Sequence, residues 1–210
     1  MIAACFLPHP PLLLGEYASL ADPGAALRVR CRDMVAQLAT GEPETLVVVS
    51  GAPRRPPAID SRRPLGLRVA RELLAGLGLP DPVEITVALD AGPDEVAACA
   101  ERLKSISAGR SAVVVMGDGS ARRGEKAPGH LDERAFSVDQ RIADALSAGD
   151  PGPLTELDPA VAEELIIAGR AAWQVLAAIV DRPPERSVAH AEDPFGVLYH
   201  LALWTWSAHV

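Results

Sequence analysis

Apolar residues fall along this chain in two alternating patterns. Short, nearly continuous runs cover residues 2–7, 45–50, 83–89 and 112–116. Runs without polar alternation predict strands covered on both faces. Between them apolar residues recur every three or four positions: Leu65, Val69 and Leu73, then Val96, Ala100, Leu103 and Ile106. A third stripe joins Leu131, Ala135, Val138, Ile142 and Leu146, with His130 and Asp132 read as polar cap residues at its start. Such stripes predict amphipathic helices. A fourth helix is predicted to open with Asp158 as cap and Pro159 at its first position, and to run through Val161, Leu165, Ala168, Ala172, Leu176 and Ile179. Residues 195–206 are apolar on nearly every side, which predicts a buried helix, and a loop is expected between His190 and His200. Strands alternating with helices predict a three-layer α/β/α sandwich with a largely parallel or mixed central sheet. The Pro/Arg-rich stretch from Pro53 to Pro64 reads as a surface loop. With no repeat and no linker, residues 1–210 read as a single domain.

Composition narrows the function classes. Of 210 residues, 49% are hydrophobic and 23% charged, enough apolar material for a substantial core and too much for a disordered chain. No apolar stretch is long enough to cross a bilayer, and the start lacks the basic residues and small-residue cleavage site of a signal peptide. The expectation is a cytoplasmic protein with no membrane partner. Twenty Lys and Arg against 28 Asp and Glu give a net charge of −8, which argues against a nucleic-acid partner, since phosphate neutralisation drives such binding. Cys5, Cys31 and Cys99 form no Cys-x-x-Cys pair, so they are expected to be reduced and core-facing.

Sites in open α/β sheets form where loops leave the carboxyl ends of strands. Three such loops stand out: Pro8-His9-Pro10-Pro11, Gly51-Ala52-Pro53, and residues 117–129. The last combines four glycines with Asp118, Ser120, Arg122, Arg123, Glu125 and Lys126. That composition suits an anion held on backbone amides and cationic side chains, with arginines forking onto a carboxylate or phosphate. Neither the P-loop nor the dinucleotide fingerprint fits, because Glu125 and Lys126-Ala127 break the first and Arg122 replaces the third glycine of the second. His9, stiffened by prolines on both sides, is placed as an acid/base group or metal ligand would need to be. Trp204 and Trp206 read as core or as a subunit interface.

The run Leu7-Pro8-His9-Pro10-Pro11-Leu12-Leu13, the strand ending at Ser50, the loop Gly117-Asp118-Gly119-Ser120 and the closing Phe195-Gly196-Val197-Leu198-Tyr199 occur in this order. Together they resemble the class III extradiol ring-cleavage dioxygenases. The resemblance implies an α/β/α sandwich and, in active members, a mononuclear non-heme Fe(II) that cleaves a catechol-type ring with O2. It implies His9 as the first metal ligand. Where it implies the second ligand histidine this chain has Ala52, and where it implies the catalytic-base histidine it has Ala121. At the place of a third ligand stand Ala168 and Gly169, with Glu163 and Glu164 a turn away. Iron of this type needs about three protein ligands, and alanine cannot deprotonate a catechol. The expectation is therefore a metal-free pocket, without a cofactor, lined by His9 and the polar residues of loop 117–129. It would bind a small anionic or aromatic molecule, or use His9 as base in chemistry other than ring cleavage. One alternative is an active Fe(II) dioxygenase with a rearranged site built from His9 with His130, Glu125 or Asp118. Another is a structural protein whose Trp204/Trp206 end buries a homodimer interface.

Overall fold

The computed structural model describes residues 1–18, 21–55 and 63–207. Six strands form one mixed sheet: β1 (Ala3–Leu7), β2 (Thr45–Ala52), β3 (Val83–Ala88), β4 (Ser111–Met116), β5 (Arg186–Glu192) and β6 (Tyr199–Thr205). Their order across the sheet is β3-β2-β4-β1-β6-β5. The first four run parallel, while β6 is antiparallel to β1 and β5 antiparallel to β6. The helices are α1 (Ala25–Ala36), α2 (Leu65–Leu74), α3 (Pro93–Ile106), α4 (Arg134–Ala148), α5 (Gly152–Thr155), α6 (Pro159–Glu164) and α7 (Arg170–Ala177). This is a three-layer α/β sandwich. Alternate residues of each central strand feed opposite cores. Ala3, Cys5 and Leu7 pack with Leu27, Cys31, Leu67 and Leu73 of α1 and α2, whereas Ala4 and Phe6 pack with Leu103, Ile142, Trp173 and Leu176 of α3, α4 and α7.

The four parallel strands lie where the apolar runs place them. β3 differs in exposure: Ile85 and Val87 are buried but Val83 and Thr86 are exposed, because it is an edge strand. Residues 195–206 are not a helix. Tyr199–Thr205 forms β6, with Tyr199, Leu201 and Leu203 in one core and Ala202, Trp204 and Trp206 in the other. A run apolar on every side fits a strand buried on both faces as well as a buried helix, and length decides between them. Both tryptophans are interior, Trp204 fully buried and Trp206 7% exposed. Their indole N–H groups donate to Leu146 O at 2.8 Å and Arg182 O at 3.2 Å, so they do not form the outer surface that an interface would need. The loop expected between His190 and His200 is shorter than that span, because β5 and β6 occupy both ends. The periodicity misses α1 and β5. His209 and most of the Pro53-to-Pro64 loop lie outside the described residues.

The stripe from Val161 to Ile179 is two helices, with a break around Ile166, where φ is +54°. Asp158 caps α6 as expected, accepting the N–H groups of Ala160 and Val161 at 2.8 and 3.0 Å. Left-handed backbone costs an L-residue about 1–2 kcal/mol, most for a β-branched one, and Ile166 is 42% exposed, so its side chain offsets little of that cost. Ile166→Gly should therefore stabilise the fold by about 1 kcal/mol in denaturant unfolding; a lower midpoint would show that the Ile166 side chain outweighs its backbone strain. The third helix begins later than its stripe, at Arg134, with Asp132 Oδ1 accepting the Arg134 N–H at 3.0 Å. His130 precedes it at φ +59° and caps nothing.

Candidate functional site

β1 and β4 are parallel neighbours with Leu7 level with Met116, so the residues that follow them leave the sheet side by side. Gly117 N–H donates to Leu7 O at 2.9 Å. Asp118 then meets His9: its Oδ1 accepts the His9 backbone N–H at 2.8 Å and lies 4.0 Å from the ring Nδ1. His9 is 7% exposed. Nδ1 is sealed and has no hydrogen-bond partner, so the exposure that remains lies on other atoms of the residue. Burial pushes the Asp118 carboxyl above the usual range, an effect opposed by the charge and backbone N–H of His9.

The glycines beside Asp118 have a packing reason. A Cβ on Gly117 would stand 2.4 Å from Gly169 Cα and 2.8 Å from Trp173 Nε1; one on Gly119 would stand 2.9 Å from Asp139 Oδ1 and 3.1 Å from His200 Nε2. Both glycines thus turn toward α4 and α7. Asp118, between them, turns to the opposite face, where its charge acts on the Cys31 thiol and the Tyr199 phenol. Burial pushes Cys31 up to about 12 and raises Tyr199 well above its ordinary range. Tyr199 is 2% exposed, and Glu192, which also acts on it, forms an ion pair with Arg30 of α1.

Loop 117–129 is not an amide cradle. The N–H groups of Gly119, Ala121 and Arg123 donate to Leu198 O, Leu165 O and Gly196 O at 2.7, 3.2 and 3.1 Å. Those of Ser120 and Arg122 donate to Asp139 Oδ1 and Ser120 Oγ at 3.0 and 3.1 Å. The segment is laced between the start of β6 and the α6–α7 corner, and its donors are spent on the fold. Ser120 is fully buried, its hydroxyl donating to Leu165 O at 2.8 Å. Arg123 bridges Asp139 at 3.1 Å and Asp193 at 2.7 Å, with its guanidinium 4.6 Å from the Phe136 ring centre. Glu125 pairs with His130 at 3.1 Å on the open surface, and Lys126 is exposed. Arg122 is half-buried, with an unpartnered Nε. Of the residues expected in one pocket, the structure brings His9 and Asp118 together and commits Ser120 and Arg123 to internal bonds.

The iron alternative fails on donors. Ala52 and Ala121 offer none, His130 is engaged with Glu125, and among the described residues no group of three or more His, Cys, Asp or Glu is placed to hold a metal. The His9–Asp118 pair does not by itself fit a ferrous ion. Sequence reasoning passed over Tyr199, Arg30 and Glu192 as site residues. Tyr199 ends the Phe-Gly-Val-x-Tyr segment, and that was its one available signal; β5 and α1, which carry the other two, left no clear pattern.

A separate cleft of about 600 Å³ lies at the opposite end of the sheet, lined in part by Lys104, Arg110, Arg182 and Trp206. Its cations sit where α3 and α7 end, and cations there complement helix carbonyls. That is a structural reason for them, and the cleft carries no comparable acid–base pair.

No protein-family model matches the chain, and no curated protein does. Among solved structures it is similar to the crystal structure of an uncharacterized protein from Escherichia coli K12, with a TM-score of 0.54 at 14% identity over 97% of this chain and 99% of that one. At that identity the likeness concerns the fold alone, and it covers the whole sandwich.

Proposed function

We propose that this chain is a divergent relative of the class III extradiol dioxygenases that works without iron, as a binding or acid–base site centred on His9 and Asp118. The observation that supports this reading is the pair itself. An imidazole and a carboxyl share one corner at the carboxyl ends of two adjacent parallel strands, and Ala52 and Ala121 stand where further histidines would be needed. Prolines on either side of His9 and the hydrogen bond from its backbone to Asp118 hold the ring in place. With Nδ1 turned toward Asp118, the opposite ring nitrogen is the one to meet a ligand oxygen or exchange a proton with it. The ligand is a small anionic or aromatic molecule. The loop cations contribute little, since Arg123 is already neutralised by two carboxylates.

The test is metal content by elemental analysis after anaerobic reconstitution with Fe(II), on protein purified without a His-tag. Iron at background in both wild type and His9→Ala is the expected result. Near-stoichiometric iron that disappears in His9→Ala would overturn the metal-free reading and call for oxygen-uptake assays with catechol.

A further inference from the structure

Leu7 and Met116 point into the core beneath α1 and α2, and Tyr199 belongs to that same core. His9 and Asp118 are the next residues on that face, two positions further along β1 and β4. The hydrogen bonds from Gly119 N to Leu198 O (2.7 Å) and from Leu198 N to Ser120 O (3.0 Å) bind the chain on either side of Asp118 to the residue before Tyr199. The phenol is therefore brought to the His9–Asp118 corner by backbone pairing. Its hydroxyl makes no hydrogen bond in the structure, although the residue is 2% exposed, and it is not among the sealed unpartnered atoms. What little of Tyr199 is open includes the oxygen.

We infer that Tyr199 is a ligand-binding residue whose hydroxyl, together with the outer nitrogen of His9, holds one oxygen of a small carboxylate. A buried phenol held in its protonated form is a permanent donor, and a carboxylate is the oxygen group that accepts from two donors at once. Arg30 stands beyond it but is paired with Glu192, so binding rests on hydrogen bonds more than on net positive charge. A compact acid that reaches two adjacent donors fits this arrangement; a polyanion such as a nucleotide does not, because Asp118 and Glu192 flank the phenol.

This inference rests on the metal-free reading, and the two fail differently. Benzoate and its neutral counterpart benzamide serve as probes, titrated by calorimetry against wild type, Tyr199→Phe and His9→Ala. Wild type should bind benzoate at least tenfold more tightly than benzamide. Tyr199→Phe should lose about tenfold in benzoate affinity, as expected for one hydrogen bond to a charged group, while its unfolding midpoint stays at the wild-type value because the hydroxyl has no internal partner. Wild-type benzoate affinity in Tyr199→Phe, or no preference for benzoate over benzamide in wild type, would overturn the inference. Iron bound in a His9-dependent manner would instead overturn the underlying reading, whatever Tyr199 does.

Discussion

Asp139→Ala should be the most destabilising single change near the site, costing about 3–5 kcal/mol. Asp139 is fully buried on α4. One oxygen accepts the Ser120 N–H at 3.0 Å and the other the Arg123 guanidinium at 3.1 Å. Burial pushes its carboxyl upward, and the Ser120 N–H and Arg123 pull it back. Truncation would leave a buried amide unpaired and take from Arg123 the inner of its two carboxylates. Asp139→Asn keeps an oxygen for Ser120 and loses only the charge, so it should cost less than half as much. Urea unfolding of the two variants checks this ordering; equal losses would mean that the charge, and not the amide bond, anchors the loop. Because Asp139 anchors residue 120, two positions from Asp118, the alanine variant should also weaken benzoate binding.

How much of this was legible in the sequence depends on whether the signal was local. The four parallel strands were readable because each is a run of β-branched and aliphatic residues bounded by breakers. His9 and Asp118 were both found, from the prolines around one and the glycines around the other. Their pairing follows from β1 and β4 being neighbours, a fact of topology that no local pattern states. β6 was misread because burial on both faces erases periodicity, and β5 was missed because it is an exposed edge of mixed polarity, Arg-Ser-Val-Ala-His-Ala-Glu. The break between α6 and α7 hides behind a stripe whose spacing continues across Ile166. The loop 117–129 shows the limit most plainly. Its glycines and arginines read as an anion site, yet the glycines make room for Trp173, Asp139 and His200, and Arg123 answers two carboxylates from distant parts of the chain. Composition named the residue types, and the partners came from elsewhere.

Those same contacts set how the fold responds to acid. His200 is 1% exposed, and its Nε2 is sealed without a partner beside Gly119. Burial, reinforced by the charge of Arg123, pushes its pKa down to about 3. The unfolded chain protonates this histidine near pH 6.5, so between about 6.5 and 3 the unfolded state binds a proton that the folded state refuses. Stability must then fall as pH falls, by about 1.4 kcal/mol per pH unit from this group, a loss on the order of 5 kcal/mol across the window. The raised carboxyls of Asp118 and Asp139 act with the opposite sign: the folded state takes up their protons first, which offsets part of the loss in the acid range. The wild-type curve alone would mix these terms, whereas its difference from a His200→Gln variant removes the carboxyls and leaves the histidine. That difference, from urea unfolding at pH 7, 6, 5 and 4, should shrink steadily below pH 6.5, and His200→Gln should tolerate acid better than its stability at pH 7 would suggest. Parallel curves would mean that the folded protein accommodates a charged His200, and with it that the packing of Gly119 against the ring is looser than its burial implies.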